Sequence, residues 1–194
     1  WWKKFIIVSA GAIMNLILGF MVMLILLGVY NEGGFVSAVI DKVEPGMPAF
    51  EAGILEGDRV ISVNGYHVGM KSEIDVYGSF EESYEIKVRR GNEKLTFNVT
   101  PREIELKSGG ETYKRKMIGV SFKTEEKNFL TLIKYTWHNS VFLGKLVLIS
   151  LKQLVTGVVS PSNLSGPVGI INEINTAAKS GLSDILYLMA LITI

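Results

Sequence analysis

The sequence predicts membrane α-helical segments flanking a mixed α+β domain, and three observations predict it. Phe5 to Tyr30 is a single apolar run of 26 residues without a charge. Charge is segregated: Asn31 to Lys127 holds 14 Lys or Arg and 17 Asp or Glu, while the rest of the 194 residues hold six Lys and two acids. Inside the charged window, short alternating apolar stretches are punctuated by Gly, Pro and Asn, the pattern of a small strand-rich domain. Mean hydropathy stays positive at +0.31 although 20% of residues are charged, which only such segregation allows. There is no cysteine, so disulfides and thiolate metal sites are excluded. The chain begins at Trp1 and ends inside the apolar stretch LYLMALITI, and it is expected to be a piece of a larger protein.

Residues 1–30 form the first element. A bilayer core of about 30 Å needs about 20 helical residues, so Phe5 to Tyr30 can span it with some tilt. The apolar core of a cleavable signal peptide, about 7–15 residues, is too short to account for it. Lys3 and Lys4 precede the run and the next basic residue is Lys42. The positive-inside rule therefore puts the N-terminus in the cytoplasm and the charged domain outside it, with Trp1, Trp2 and Tyr30 as interfacial anchors. Gly11, Asn15 and Gly19 are four apart and share one helical face, bordered by Ala12. Small residues at that spacing let another helix approach closely. A generic packing face explains the glycines, whereas a carboxamide at mid-membrane points to a site.

Residues 31–127 form the charged domain. Phe35 to Val39 alternates as a strand, Glu44-Pro45-Gly46 is a turn, and Pro48 to Ala52 starts a short helix that Gly53 ends. Arg59 to Val63 is a strand closed by the Asn64-Gly65 turn. Ser72 to Phe80 reads as a helix. Tyr84 to Val88 and Leu95 to Val99 pair through a hairpin at Arg90-Gly91-Asn92, and Met117 to Phe122 is the last strand. Asp58 is expected to fix the turn before its strand, and His67 to be a surface residue.

Residues 128–158 read as an amphipathic, interfacial or partly embedded helix. At 100° per residue Lys134, Lys145 and Lys152 fall within about 20° of one another, with Thr131, His138 and Thr156 on the same side. A spanning placement would put Lys145 near mid-bilayer at about 2.5–3.5 kcal/mol, a cost that an interfacial placement avoids. Residues 159–181 are a loop in which SPSNLSGPVGI breaks any helix, with a short helix over Ile170 to Ala178. Residues 182–194 begin a second span. No nucleic-acid partner is expected; the lipid bilayer is.

The stretch PGMPAFEAGILEGDRVISVNG resembles the signature of bacterial PDZ domains, with Pro-Ala, Ala-Gly-Ile, Gly-Asp and Val-Asn-Gly in register. The resemblance implies a small, partly open β-barrel with two helices that takes an extended peptide, often a C-terminus, as an added strand. It puts the groove between the Met117-Ile118-Gly119-Val120 stretch and the helix from Ser72 to Phe80. The peptide-binding candidates are Ile118, Gly119, Val120, Ile74, Val76 and Tyr77.

The order of elements resembles the site-2 family of intramembrane zinc metalloproteases, of the bacterial regulator-of-sigma-E protease type. WWKKFIIVSAGAIMNLILGF is similar to their second transmembrane helix, with Ala10, Gly11 and Asn15 matching and Ala12 where a proline is usual. NLSGPVGI, Asn163 to Ile170, is similar to the segment before their third. The resemblance implies an enzyme that cleaves membrane-spanning proteins such as anti-sigma factors in the cell membrane. Its PDZ domain, outside the cytoplasm, would filter pre-trimmed substrate by size or bind its new C-terminal peptide. It also implies a zinc ion held by His-Glu-x-x-His and by the Asp of Leu-Asp-Gly. Neither motif is in this sequence, so no catalytic or metal-ligating residue is assigned, and the motifs are expected before Trp1 and after Ile194. Gly11, Asn15, Gly19, Asn163, Gly166 and Pro167 are the packing residues near that site. A membrane-anchored PDZ scaffold without catalytic function is the alternative.

Overall fold

The computed structural model describes residues 1–78, 82–108, 111–156 and 167–193, though not the side chains of 4–8, 12, 106–108, 111–113 and 167–173. The chain divides into two compact units: residues 1–33 with 126–194, and residues 34–125.

The first unit is helical. α1 (Trp2–Tyr30) is 29 residues long, roughly 43 Å at 1.5 Å per residue. Its second half is packed, with Val22 and Met23 buried among Leu143 of α4 (Phe129–Val155) and Ala190 of α6 (Leu182–Thr193). Its first half faces outward: Ile13, Met14, Leu16, Ile17 and Leu18 are 50–62% exposed. An apolar surface of that extent belongs in a membrane, against lipid or against other helices, since in water it would be an aggregation surface. Among the described residues, Ser9–Tyr30 is the helix long and apolar enough to cross a membrane.

α4 opens on a capping box. Asn128 Oδ1 accepts from the Thr131 N–H at 2.9 Å, and the Asn128 N–H donates to Thr131 Oγ1 at 2.8 Å. The helix runs antiparallel to α1: Leu132 packs over Gly28, while Trp137, Val141 and Gly144 share a groove with Ile13, Ile17 and Met21. Lys127, just before α4, donates from Nζ to the carbonyls of Gly28 and Asn31. No basic residue occupies the last turn of α1, so Lys127 supplies the cation that a helix C-terminus favours. α4 buries Tyr135, Thr136, Phe142 and Leu143. Of the polar stripe, Lys134 and Lys152 are exposed, and Lys145, His138 and Thr131 are half-buried. The helix expected over Ile170 to Ala178 is longer at both ends: α5 spans Pro167–Ser180. Pro167 stands at its first position, where the missing N–H costs nothing.

The second unit is a mostly antiparallel sheet with two helices. The strands are β1 (Phe35–Val43), β2 (Arg59–Val63), β3 (Tyr66–His67), β4 (Tyr84–Arg90), β5 (Glu93–Val99), β6 (Arg102–Ser108), β7 (Glu111–Met117) and β8 (Val120–Glu125). The helices are α2 (Pro48–Glu51) and α3 (Lys71–Gly78). The sheet order is β5-β4-β2-β1-β8, with β3 on β2, and β6 and β7 form a separate pair. No pairing joins β5 to β8 among the described residues, so the sheet has two edges there. Ala38, Ile40, Val60, Val63, Ile86 and Val88 from the strands are buried together with Ala49, Ile54, Ile74 and Tyr77.

The expected strand Met117 to Phe122 is not one strand. Met117 ends β7, Gly119 takes φ +78°, and β8 begins at Val120. A left-handed residue turns the chain, so it cannot sit inside a continuous extended run. The β6–β7 hairpin carries REIELKS and ETYKRKM. Ile104 and Leu106 do alternate with Glu103, Glu105 and Lys107, but the run Lys114-Arg115-Lys116 obscures the alternation of the second strand.

Candidate functional site

The signature stretch of the sequence holds the unit together. Asp58 is 1% exposed. Burial alone would raise its carboxyl pKa, but Arg90 outweighs this by donating from Nε and Nη2 at 2.8 Å to each oxygen. The Leu55 N–H adds a bond at 3.0 Å. The net effect holds Asp58 below the ordinary carboxylate value. Arg90 also donates to the Gly53 carbonyl at 2.8 Å, so one guanidinium ties the α2 exit to the start of β2. Asn64, at φ +50°, links three elements. Its Nδ2 donates to the Tyr77 carbonyl at 3.0 Å, its Oδ1 accepts from the Glu85 N–H at 2.9 Å, and its own N–H donates to the Glu85 carbonyl at 2.9 Å. Asn is the residue that tolerates this backbone region and bonds locally.

These anchors leave a groove between α3 and β8. α3 is capped by Glu73, 3% exposed, whose carboxylate accepts from the Gly69 and Met70 N–H groups. Opposite α3, the loop before β8 is pinned from behind. The Ala49 N–H donates to the Ile118 carbonyl and the Glu44 N–H to the Gly119 carbonyl, both at 2.9 Å. Because the peptide plane is trans, the Gly119 and Val120 N–H groups point the opposite way. The Glu44–Gly119 bond flanks the Val43–Val120 pair, which makes it a non-hydrogen-bonded pair. The N–H and C=O of Val120 therefore face away from β1. β8 is the last strand on that side, so this outward phase recurs at Phe122.

The groove has a volume of about 540 Å³. It is lined by Lys71, Ile74 and Asp75 of α3, Tyr84 of β4, Arg115, Lys116 and Met117 of β7, Ile118, Gly119, and Val120 and Phe122 of β8. Ile74, Ile118, Gly119 and Val120 are thus brought together. Val76 and Tyr77 are not among the lining residues. Tyr77 is fully buried and stacks on Tyr66 with ring centroids 4.7 Å apart. Burial first, then the charge of Glu73, pushes its phenol up to about 12. It is a core residue on another side of α3. Arg115, Lys116, Tyr84 and Phe122 went unassigned in the sequence. Phe122 follows from the alternation of β8 once its start at Val120 is known, whereas Arg115 and Lys116 depended on finding the β6–β7 hairpin.

On α1, Gly11 and Asn15 are exposed and Gly19 is buried. Asn163 and Gly166 lie outside the described residues, and of Pro167 only the backbone, the first residue of α5, is described. His67 is exposed on β3, and His138 is half-buried beside the Tyr135 ring at 6.4 Å. No three His, Asp or Glu side chains converge to hold a metal among the described residues. The groove of about 550 Å³ between α1 and α4 is almost wholly apolar, apart from Ser140.

A family model described as Peptidase family M50 matches residues 1–194. The zinc metalloprotease RasP of Bacillus licheniformis is 34% identical over 197 residues, covering 100% of this chain and 45% of that protein. The regulator of sigma-W protease RasP of Bacillus subtilis is 31% identical over 199 residues, with the same two coverages. The zinc metalloprotease RasP of Shouchella clausii is 30% identical over 196 residues, or 99% of this chain and 45% of that protein. The chain thus spans less than half the length of these relatives. Among solved structures, the HtrA3 PDZ domain bound to a phage-derived ligand, FGRWV, aligns at 32% identity. That alignment covers 37% of this chain and 67% of that one, with a TM-score of 0.32.

Proposed function

The chain belongs to Peptidase family M50, and on that membership we propose that it is the central part of an intramembrane zinc metalloprotease acting on membrane-spanning substrates such as anti-sigma factors. The observation that carries this reading is the family match along all 194 residues. Zinc belongs to the complete protein, where it would activate water for peptide hydrolysis; this chain's residues hold the membrane scaffold and the substrate filter. The protein is a multi-pass protein of the cytoplasmic membrane with the PDZ-like unit outside. α1 is one span and α6 the start of another. α4 is partly embedded along α1, with its lysine stripe toward water. The exposed face bearing Gly11 and Asn15 packs against the metal-binding helices of the complete protein.

In this reading the α3–β8 groove binds the C-terminal peptide of a substrate already trimmed outside the membrane. The peptide adds as a strand on β8, bonding to the outward N–H and C=O of Val120 and Phe122, while Ile74, Ile118 and Val120 take its apolar end. Gly119 is the residue to test. Its φ is +78° and an added Cβ would lie 2.2 Å from Met47 Cβ. Gly119→Ala must therefore shift the loop, and binding of peptides with a free apolar C-terminus is expected to fall at least about tenfold. Titration of labelled peptides against the complete protein in nanodiscs measures this; no binding to the unsubstituted protein would leave filtering by size. For the protease itself, Asn15→Leu is expected to reduce cleavage of a model membrane-spanning substrate more than it reduces membrane insertion. Unchanged cleavage would overturn the assignment of Asn15.

A further inference from the structure

The rim of the α3–β8 groove differs in charge from the unit that contains it. The charged window as a whole has an acid excess, 17 to 14. At the groove the balance reverses. Lys71, Arg115 and Lys116 line it against a single acid, Asp75, and Asp75 is already bridged to Lys71. Arg115 and Lys116 are exposed, and neither has an acid within ion-pair distance among the described residues. The hairpin register explains why. Arg115 lies opposite Ile104, and Lys116 opposite Glu103, but the Glu103 carboxylate leans to Lys114 at 3.9 Å. β7 then runs straight into Ile118 and Gly119, so these two exposed cations stand beside the loop that receives the end of an added strand.

We propose that Arg115 and Lys116 make the groove selective for an acidic peptide tail, one with an apolar terminal residue preceded by Asp or Glu. This rests on the reading of the groove as a peptide site and names the chemistry of its occupant. The floor of Ile74, Ile118, Val120 and Phe122 requires the apolar anchor. The cations require negative charge near it, beyond the terminal carboxylate alone. An acidic tail brings complementary charge to these exposed cations, and a basic tail brings repulsion. The hairpin is then a specificity element for this site, carrying its charges on a strand that contributes nothing to the main sheet. Since the cations are exposed, their effect is modest per pair and screened by salt.

The test uses the full chain in nanodiscs and three fluorescein-labelled ten-residue peptides. All end in the same free apolar residue and differ only in two preceding positions, which carry Glu, Ser or Lys. The expected order of affinity is Glu over Ser over Lys, with at least about a fivefold span at low salt that shrinks at high salt. Arg115→Glu with Lys116→Glu should invert the order, and Arg115→Gln with Lys116→Gln should flatten it. Equal affinity of the three peptides for the unsubstituted protein, with binding intact, would overturn the selectivity and leave the groove reading standing. Absence of binding by all three would remove both.

Discussion

The two units treat polarity in opposite ways. In residues 34–125 the sheet's apolar core is inside, and a buried charge, Asp58, is matched by Arg90 at 2.8 Å and by the Leu55 N–H. In the helical unit α1 carries its large apolar side chains outward, with Leu18 52% exposed and Met14 62%. The same kinds of side chain thus describe two solvents. The sheet unit is built for water, which penalises an unpaired buried charge and rewards apolar burial. α1 is built for lipid, where apolar exposure costs nothing and each backbone group must be satisfied within its own helix.

The largest expected effect tests the lipid side. Leu18→Lys is expected to cost about 2.5–3.5 kcal/mol of membrane insertion, since position 18 lies near the centre of the apolar run. A glycosylation-mapping insertion assay reads this. An unchanged insertion fraction would mean that α1 is not in a membrane, and the contrast between units would fail.

The next tests the aqueous side. Asp58→Ala is expected to destabilise the sheet unit by about 2–3 kcal/mol, somewhat less than for a fully buried pair because Arg90 remains 35% exposed. Hydrogen exchange at Val60 and Val88 reports on it. The pH dependence has a definite sign. Because the folded carboxyl of Asp58 is held below its ordinary value, its contribution is present above about pH 4 and is lost as pH falls through the lowered folded value. Asp58→Ala should therefore flatten the acid limb of the stability profile, and an unaltered limb would assign that stability elsewhere.

The smallest effect lies at the border of the helical unit. Lys127→Met removes the cation from the end of α1 and is expected to cost less than about 1 kcal/mol, seen as faster exchange in the last turn of α1. A larger loss would make Lys127 a main support of the helical unit.

Much of this contrast was legible in the sequence because it is written in composition. The uncharged run to Tyr30, the β2 strand and the Asn64-Gly65 turn each depend on local chemistry, and each stands within a residue or two of its expected position. Val76 and Tyr77 were misjudged for a different reason. Which side of a short helix faces a groove is decided by packing with Tyr66 and by the Asn64 bond to the Tyr77 carbonyl, both long-range. The hairpin β6–β7 was passed over because the run Lys114-Arg115-Lys116 obscures the alternation of its second strand, and with it went Arg115 and Lys116. The groove floor could be read from apolar residues; its rim could not.

The pairing of Phe35 with Glu125 puts the start of the first strand and the end of the last strand of the sheet unit side by side, about 5 Å apart. Gly34 tightens this junction, since a Cβ there would come within 2.6 Å of the Glu125 carbonyl. A unit whose ends meet can be inserted between two helices without asking them to move. The sheet unit is therefore a cassette, and an unrelated domain with equally close ends could stand between Gly33 and Glu126 while α1 and α4 kept their hairpin.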